Sequence, residues 1–426
     1  MNIRRGLREL AAGVAALGAV LLPWGAASAY DFETLHTFCA SGSCTDGENP
    51  IDLIADAAGN LYGETWSGGD VGLGVVFELV PNAKKTKWRY KRLWAFCAEK
   101  NCADGEGPSG GLIIDVAGNL YGTTSFGGKC SGGTVFRLSP AGKKWKLKVL
   151  HDFCSGSSCT DTPPDFKFAY AGSASGAPYD GTSALYTVYP QTNDGQGSVV
   201  SLTPAAEGEW TSATIYNFCA AKDCRDGSDP EGPLTADAAG NLYGTTNSGG
   251  DNGGGTVFEL TPGSPWKEKV IHSFCTSCVG GSAPFGPLFV DAAGTFYGAT
   301  RHGGSGNGGV AYKLDVLRKP HKETVLYSFC PNTDCTVSGW VPFGGVTVDS
   351  MGNIFTAPSW GGAQAGGTVL QIGPDYDLLY TFCGEVFCSS SGFQPMRLFP
   401  DSAGNLYGIT YFVGESDDGT VFELRR

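Results

Sequence analysis

The residues best equipped for chemistry are cysteines, and their spacing is regular. Six pairs, Cys39 with Cys44, Cys97 with Cys102, Cys154 with Cys159, Cys219 with Cys224, Cys330 with Cys335 and Cys383 with Cys388, share one separation; a seventh, Cys275 with Cys278, is tighter. The first cysteine of every pair follows a phenylalanine. Thiolates could bind a metal, but four ligands must converge, and neither a second pair nor a histidine lies nearby in each copy. Each pair is therefore expected to form a disulfide within its own loop, stabilising it by about 2 kcal/mol. Cys130, the fifteenth cysteine, is left over as a free thiol, and no base can be assigned to activate it. Acids recur in the same loops. Asp46, Asp104 and Asp226, with Glu48, Glu106 and Glu231 behind them, could act as acid and base or hold calcium. Their recurrence points first to loop architecture, because an active site needs asymmetric partners.

A second set of candidates follows a repeated Tyr-Gly. These positions read Trp66-Ser67, Ser125-Phe126, Pro190-Gln191, Asn247-Ser248, Arg301-His302, Ser359-Trp360 and Tyr411-Phe412. A ring of aromatics with Arg301, Asp70, Asp251 and Asn247 around it suits sugar faces, or flat organic ligands, through stacking and a few hydrogen bonds. Packing between neighbouring structural units would account for the same rings. His302 is the single histidine in such a loop, whereas His36, His151 and His272 sit two residues before a Phe-Cys phenylalanine, where a structural role explains them. No nucleophile elbow is present, so a serine triad cannot be assembled. Catalytic residues are left unassigned. The ligand-binding candidates are Trp66, Phe126, Gln191, Asn247, Arg301, His302, Trp360 and Tyr411.

The elements that must carry these residues come from one repeated stretch. Asp237-Ala-Ala-Gly-Asn-Leu-Tyr-Gly-Thr-Thr and Gly255-Thr-Val-Phe-Glu-Leu recur, with drift, from seven aspartates: Asp56, Asp115, Asp180, Asp237, Asp291, Asp349 and Asp401. These lie 52 to 65 residues apart. Each unit reads as four strands. A short apolar run (strand a) leads to an Asp-x-x-Gly-Asn turn, where the carboxylate can accept amide hydrogens and Gly or Asn takes positive φ. Leu-Tyr-Gly-Thr-Thr (strand b), Thr-Val-Phe-Glu-Leu (strand c) and a charged outer strand d follow, each alternating in polarity. Such a unit is a β-propeller blade. The chain starts with an unmatched d pattern, Tyr30 to Cys39, and ends after a strand c, so first and last segments are expected to share one blade and close a seven-bladed, all-β ring. The third unit, from Asp165 to Asp194, departs furthest.

The unit D-x-x-G-N-L-Y-G-x-T, then G-G-T-V-F-E-L, with Phe-Cys before the next unit, resembles the GloVer-type tandem repeats of exported bacterial proteins. The resemblance covers essentially the whole chain beyond residue 29 and implies a compartment, with no established activity.

Residues 1–29 read as a signal peptide, because Arg4, Arg5 and Arg8 precede an apolar run from Leu10 to Trp24 and Ala27-Ser28-Ala29 suits a signal peptidase. Residues 30–426 then form one domain. The formal charge of −13 becomes −15 once those three arginines and Glu9 are removed. Such a surface repels phosphate backbones, so nucleic acid is excluded as a partner. No other segment could span a bilayer. The expected protein is a secreted, disulfide-stapled monomer that needs no cofactor, calcium aside. It binds a carbohydrate or cell-surface polymer on the face carrying the cysteine loops. The alternatives are a glycan-active lyase or hydrolase at the channel mouth, and a structural or protein-interaction module.

Overall fold

The computed structural model describes residues 30–153, 167–190, 196–205, 208–276, 280–316, 321–331, 335–336, 338–363, 365–373, 376–383, 392–412 and 418–426. Seven antiparallel sheets form the blades of a propeller. Blade one is representative: strand a is Glu48–Ala55, b Leu61–Ser67, c Val75–Pro81 and d Trp88–Ala95. In blades two and four, strand a is broken into two short pieces. Blade three has three regular strands, and an isolated bridge from Ala169 to Tyr186 stands where its strand a would be.

The ring closes as its terminal repeats predict. Asp31–Thr37 pairs antiparallel with Thr420–Arg425, with Phe32 opposite Leu424. Phe32 stacks on Tyr380 at 4.0 Å, and Arg425 Nη2 donates to Glu33 Oε2 at 2.6 Å. One blade is thus built from both ends of the chain.

Two sequence signatures explain the regularity. In the Asp turn, Asp56 Oδ1 accepts from the amides of Ala58 and Asn60, while Oδ2 accepts from Asn60 Nδ2 and Tyr62 Oη. The same carboxylate recurs at Asp115, Asp237 and Asp401. The phenylalanine before the first cysteine of a pair is an inter-blade wedge. Phe38, Phe96, Phe218 and Phe382 are buried, and each meets a strand-c phenylalanine of the next blade, respectively Phe77, Phe136, Phe258 and Phe422, at 4.9 to 5.2 Å. Apolar burial is therefore concentrated in the seams between blades, and every core cluster straddles one of them.

Candidate functional site

Two surfaces result from this geometry: a face carrying the b–c loops and cysteine loops, and a channel along the ring axis. On the loop face, four of the predicted disulfides are present, Cys39–Cys44, Cys97–Cys102, Cys219–Cys224 and Cys330–Cys335. Cys275 and Cys383 are also disulfide-bonded. Their expected partners, Cys278 and Cys388, lie outside the described residues. Cys154 and Cys159, which were expected to bond to each other, lie outside them as well, and so does the ligand candidate Gln191. Cys130 is an exposed free cysteine.

The loop acids are committed to loop amides. Asp104 accepts from the amides of Ala98 and Glu99 and from Trp94 Nε1. Asp226 accepts from Ala220, Ala221 and Tyr216 in the same way. Asp46 takes the Cys39 amide and His36 Nε2. These three carboxylates each stitch their cysteine loop to the strand d before it.

Among the described residues, the predicted aromatic positions make local contacts. Trp66 and Phe126, on adjacent blades, meet edge to face at 6.3 Å. Trp360 meets Trp340 at 6.4 Å within its own blade, where their backbones bridge. Tyr411 packs on Phe412. Asn247 Nδ2 donates to Asp229 Oδ2, and His302 is exposed. Arg301 turns toward the axis: its guanidinium lies 4.1 Å from the Phe285 ring centre and 3.1 Å from Glu231 Oε2, an ion pair not aligned as a hydrogen bond. Burial raises the Glu231 carboxyl above its ordinary value, against the opposing pull of Arg301.

The axial channel holds a cluster that the sequence reading did not single out. A cavity of about 150 Å³ is lined by residues from all seven blades, among them Ile51, Asp52, Lys167, Phe285, Phe343 and Arg397. Most of its lining is Gly, Pro or apolar. Lys167 Nζ donates to Asp52 Oδ2 at 2.9 Å, and Arg397 Nη1 lies 3.5 Å from the same oxygen. Glu64 is the register partner of Asp52 on strand b. Opposed residues of an antiparallel pair share a face with their Cβ atoms about 5 Å apart. Glu64 is fully buried; Oε1 accepts from the Gly111 amide at 2.7 Å, and Oε2 has no partner among the described residues.

The two carboxyl groups are driven apart in acidity. Burial, helped by the Asp52 charge, pushes Glu64 up to about 8, so it is a neutral acid at pH 7. Burial would raise Asp52 too, but Lys167 and Arg397 together hold it below its ordinary value. Burial pulls the Lys167 ammonium down, with Asp52 opposing. Gly111, at φ +83°, is required here because a Cβ would run into the Asp52 carboxylate. On the opposite face, a broader cleft of about 930 Å³ opens between blades one and two, bordered by Lys167, Tyr170 and Pro178 of the divergent third blade.

The profile of the Gloeobacter/Verrucomicrobia repeat matches residues 20–189 and 165–339. No curated protein matches the sequence. Among solved structures, the extracellular domain of a hybrid two-component system from B. thetaiotaomicron superposes with TM-score 0.53 at 10% identity, covering 93% of this chain and 42% of that one. This chain thus spans about two fifths of that domain. A glucose dehydrogenase-type oxidoreductase from Thermus thermophilus is similar at TM-score 0.42 and 13% identity, covering 93% and 99% of the two chains. Trypanosoma rangeli sialidase, in complex with sialic acid, gives 0.39 and 12%, covering 82% and 56%. At these identities the likeness speaks to fold alone.

Proposed function

The chain belongs to the Gloeobacter/Verrucomicrobia repeat family, and on that footing we propose that it is an exported binding protein taking a saccharide chain, or a comparable surface polymer, on the face of the cysteine loops. One observation carries the reading. Trp66, Phe126, Trp340 and Trp360 are 38%, 51%, 43% and 37% exposed, and all four lie on this face. They are the exposed tryptophans and phenylalanines among the described residues. Elsewhere in the fold such rings fill seams, so leaving these in water marks an interaction surface. Flat rings in pairs suit sugar faces, which present axial C–H groups to stack on. Disulfides in small loops agree with an oxidising compartment outside the cytoplasm. No helix among the described residues is long and apolar enough to cross a membrane.

The test is a glycan array with the folded protein, followed by titration of any ligand found. Trp66→Ala/Phe126→Ala and Trp340→Ala/Trp360→Ala should each weaken binding at least tenfold while leaving the thermal midpoint nearly unchanged. A blank array together with capture of a defined protein partner would replace this reading with a protein-interaction role. A second reading, turnover of a glycan at the channel mouth, is favoured by Arg301, which pairs with Glu231 beside the exposed His302. Reducing ends released by the wild type on the same panel would support it.

A further inference from the structure

The channel cluster differs from everything else in the ring by being unrepeated. At the position of Glu64 the other blades carry Thr123, Val188, Thr245, Ala299, Ala357 and Ile409. At the position of Asp52 and Arg397, four residues before the turn aspartate, blades two, four, five and six carry Gly111, Pro233, Pro287 and Gly345. A repeat that decays at random gains surface substitutions; a charged residue turned toward a channel lined by Gly, Pro and Phe must be compensated to persist.

Compensation inside the protein is incomplete. Lys167 is satisfied by Asp52, but the Arg397 guanidinium makes no hydrogen bond with any described residue, and its ionic contact with Asp52 is a long 3.5 Å. Its side chain keeps 26% of its surface, and it lines the cavity. Five N–H donors are thus directed by a rigid fork with little to accept them. The charge tally has the same sign: with Glu64 neutral, Lys167 and Arg397 outnumber Asp52 by one. The buried, unpartnered Oε2 of Glu64 stands behind the pair. Around the charges, Ile51, Phe285, Phe343 and Met396 make apolar walls.

We propose that the axial channel is a binding site for a small organic carboxylate, whose two oxygens take the Arg397 fork while its apolar body lies against Phe285, Phe343 and Met396. A planar carboxylate matches the guanidinium bidentately and supplies the one negative charge the cluster lacks. A dianion would overshoot. A cavity of about 150 Å³ is below the size of a drug-like pocket, so the occupant is a small molecule or a single end group. This site is separate from the aromatic pairs of the loop face, and neither reading needs the other.

Two methionines make the test direct. Met396 lines the cavity, whereas Met351 is 58% exposed on a turn between strands a and b. In protein labelled with ¹³C at methionine methyls, benzoate should shift the Met396 resonance saturably and leave Met351 in place. Benzyl alcohol, which has the same ring without the charge, should shift neither. Arg397→Met should weaken benzoate binding at least tenfold by calorimetry, with its thermal midpoint measured alongside. The proposal is overturned if Met396 is unmoved at 20 mM benzoate, if benzyl alcohol shifts it equally, or if folded Arg397→Met binds benzoate like the wild type. Should the variant not fold, the wild-type methyl shifts decide alone.

Discussion

A carboxyl group buried beside a carboxylate has to surrender one of two charges, and the neighbours choose which. Asp52 keeps its charge because Lys167 and Arg397 face it; Glu64 has one backbone amide and becomes neutral. Stability should record this. Glu64 ionises near its ordinary 4.5 in the unfolded chain and at about 8 in the fold, so between those values the unfolded state has lost a proton that the folded state retains. Stability therefore falls as pH rises from 4.5 to 8 and is level beyond. Asp52 has the opposite sign: its contribution is present above its ordinary 3.8 and is lost as pH falls below it. Glu64→Gln keeps an acceptor for Gly111 and cannot titrate. Denaturant unfolding at pH 5 and pH 8 should show a smaller drop for the variant, a difference on the order of 4 kcal/mol at pH 8. An unchanged drop would mean that Glu64 is ionised in the fold. The sequence did contain the signal. Blade one reads Tyr62-Gly-Glu-Thr where blades two and four have Tyr-Gly-Thr-Thr, and Pro50 and Pro395 stand one residue closer to their turn aspartates than the corresponding prolines of blades two, four, five and six. What sequence could not give was convergence, since Lys167 reaches Asp52 across 115 positions. The partnership exists only because blades one, three and seven share an axis.

At the scale of elements, the seam between blades is a glycine facing a proline. The glycine opening strand c sits where a Cβ would collide with the proline of the next blade's strand a: Gly74 with Pro108, Gly255 with Pro284, Gly367 with Pro395, and Gly419 with Pro50. Close approach, with positive φ, is what holds that residue to glycine. Gly419→Ala should cost about 2 to 3 kcal/mol, combining backbone strain with overpacking. Gly72→Ala is the control, as its φ is +83° but nothing lies within 4 Å of a Cβ there. It should lose only about 1 kcal/mol. Equal losses in urea unfolding would reduce the seam to backbone strain. Strand order, the Asp turns and the cysteine loops were legible because each depends on residues within one repeat. The seam contacts were not, because they join residues about thirty positions or more apart through the rotation from blade to blade.

For the whole molecule, the decisive feature is that blade seven takes strands from both ends. The unmatched opening pattern and the final strand c made this readable as arithmetic on repeats. Blade three was not readable to the same degree. Its Tyr179 is buried against Tyr121, and its backbone runs onto the turn of blade two. The aromatic positions separate into local contacts, Trp66 with Phe126 across the seam of blades one and two and Trp360 with Trp340 within blade six. A protein lacking residues 30–37 should lose the Phe32–Tyr380 and Phe32–Phe422 stacks together with a whole edge of blade seven. Its calorimetric unfolding should broaden and shift down by well over 10 °C, since both adjoining seams open with it. A sharp transition at the original temperature would show that the other six blades hold without the clasp.

The pairing of Phe32 with Leu424 also fixes an order of events during synthesis. The segment that leaves the ribosome early is completed by one made nearly four hundred residues later, an interval of about 20 to 80 s at ordinary elongation rates. Throughout that time one ribbon of backbone amides and carbonyls has no mate, and the newborn polypeptide must be kept from finding a substitute.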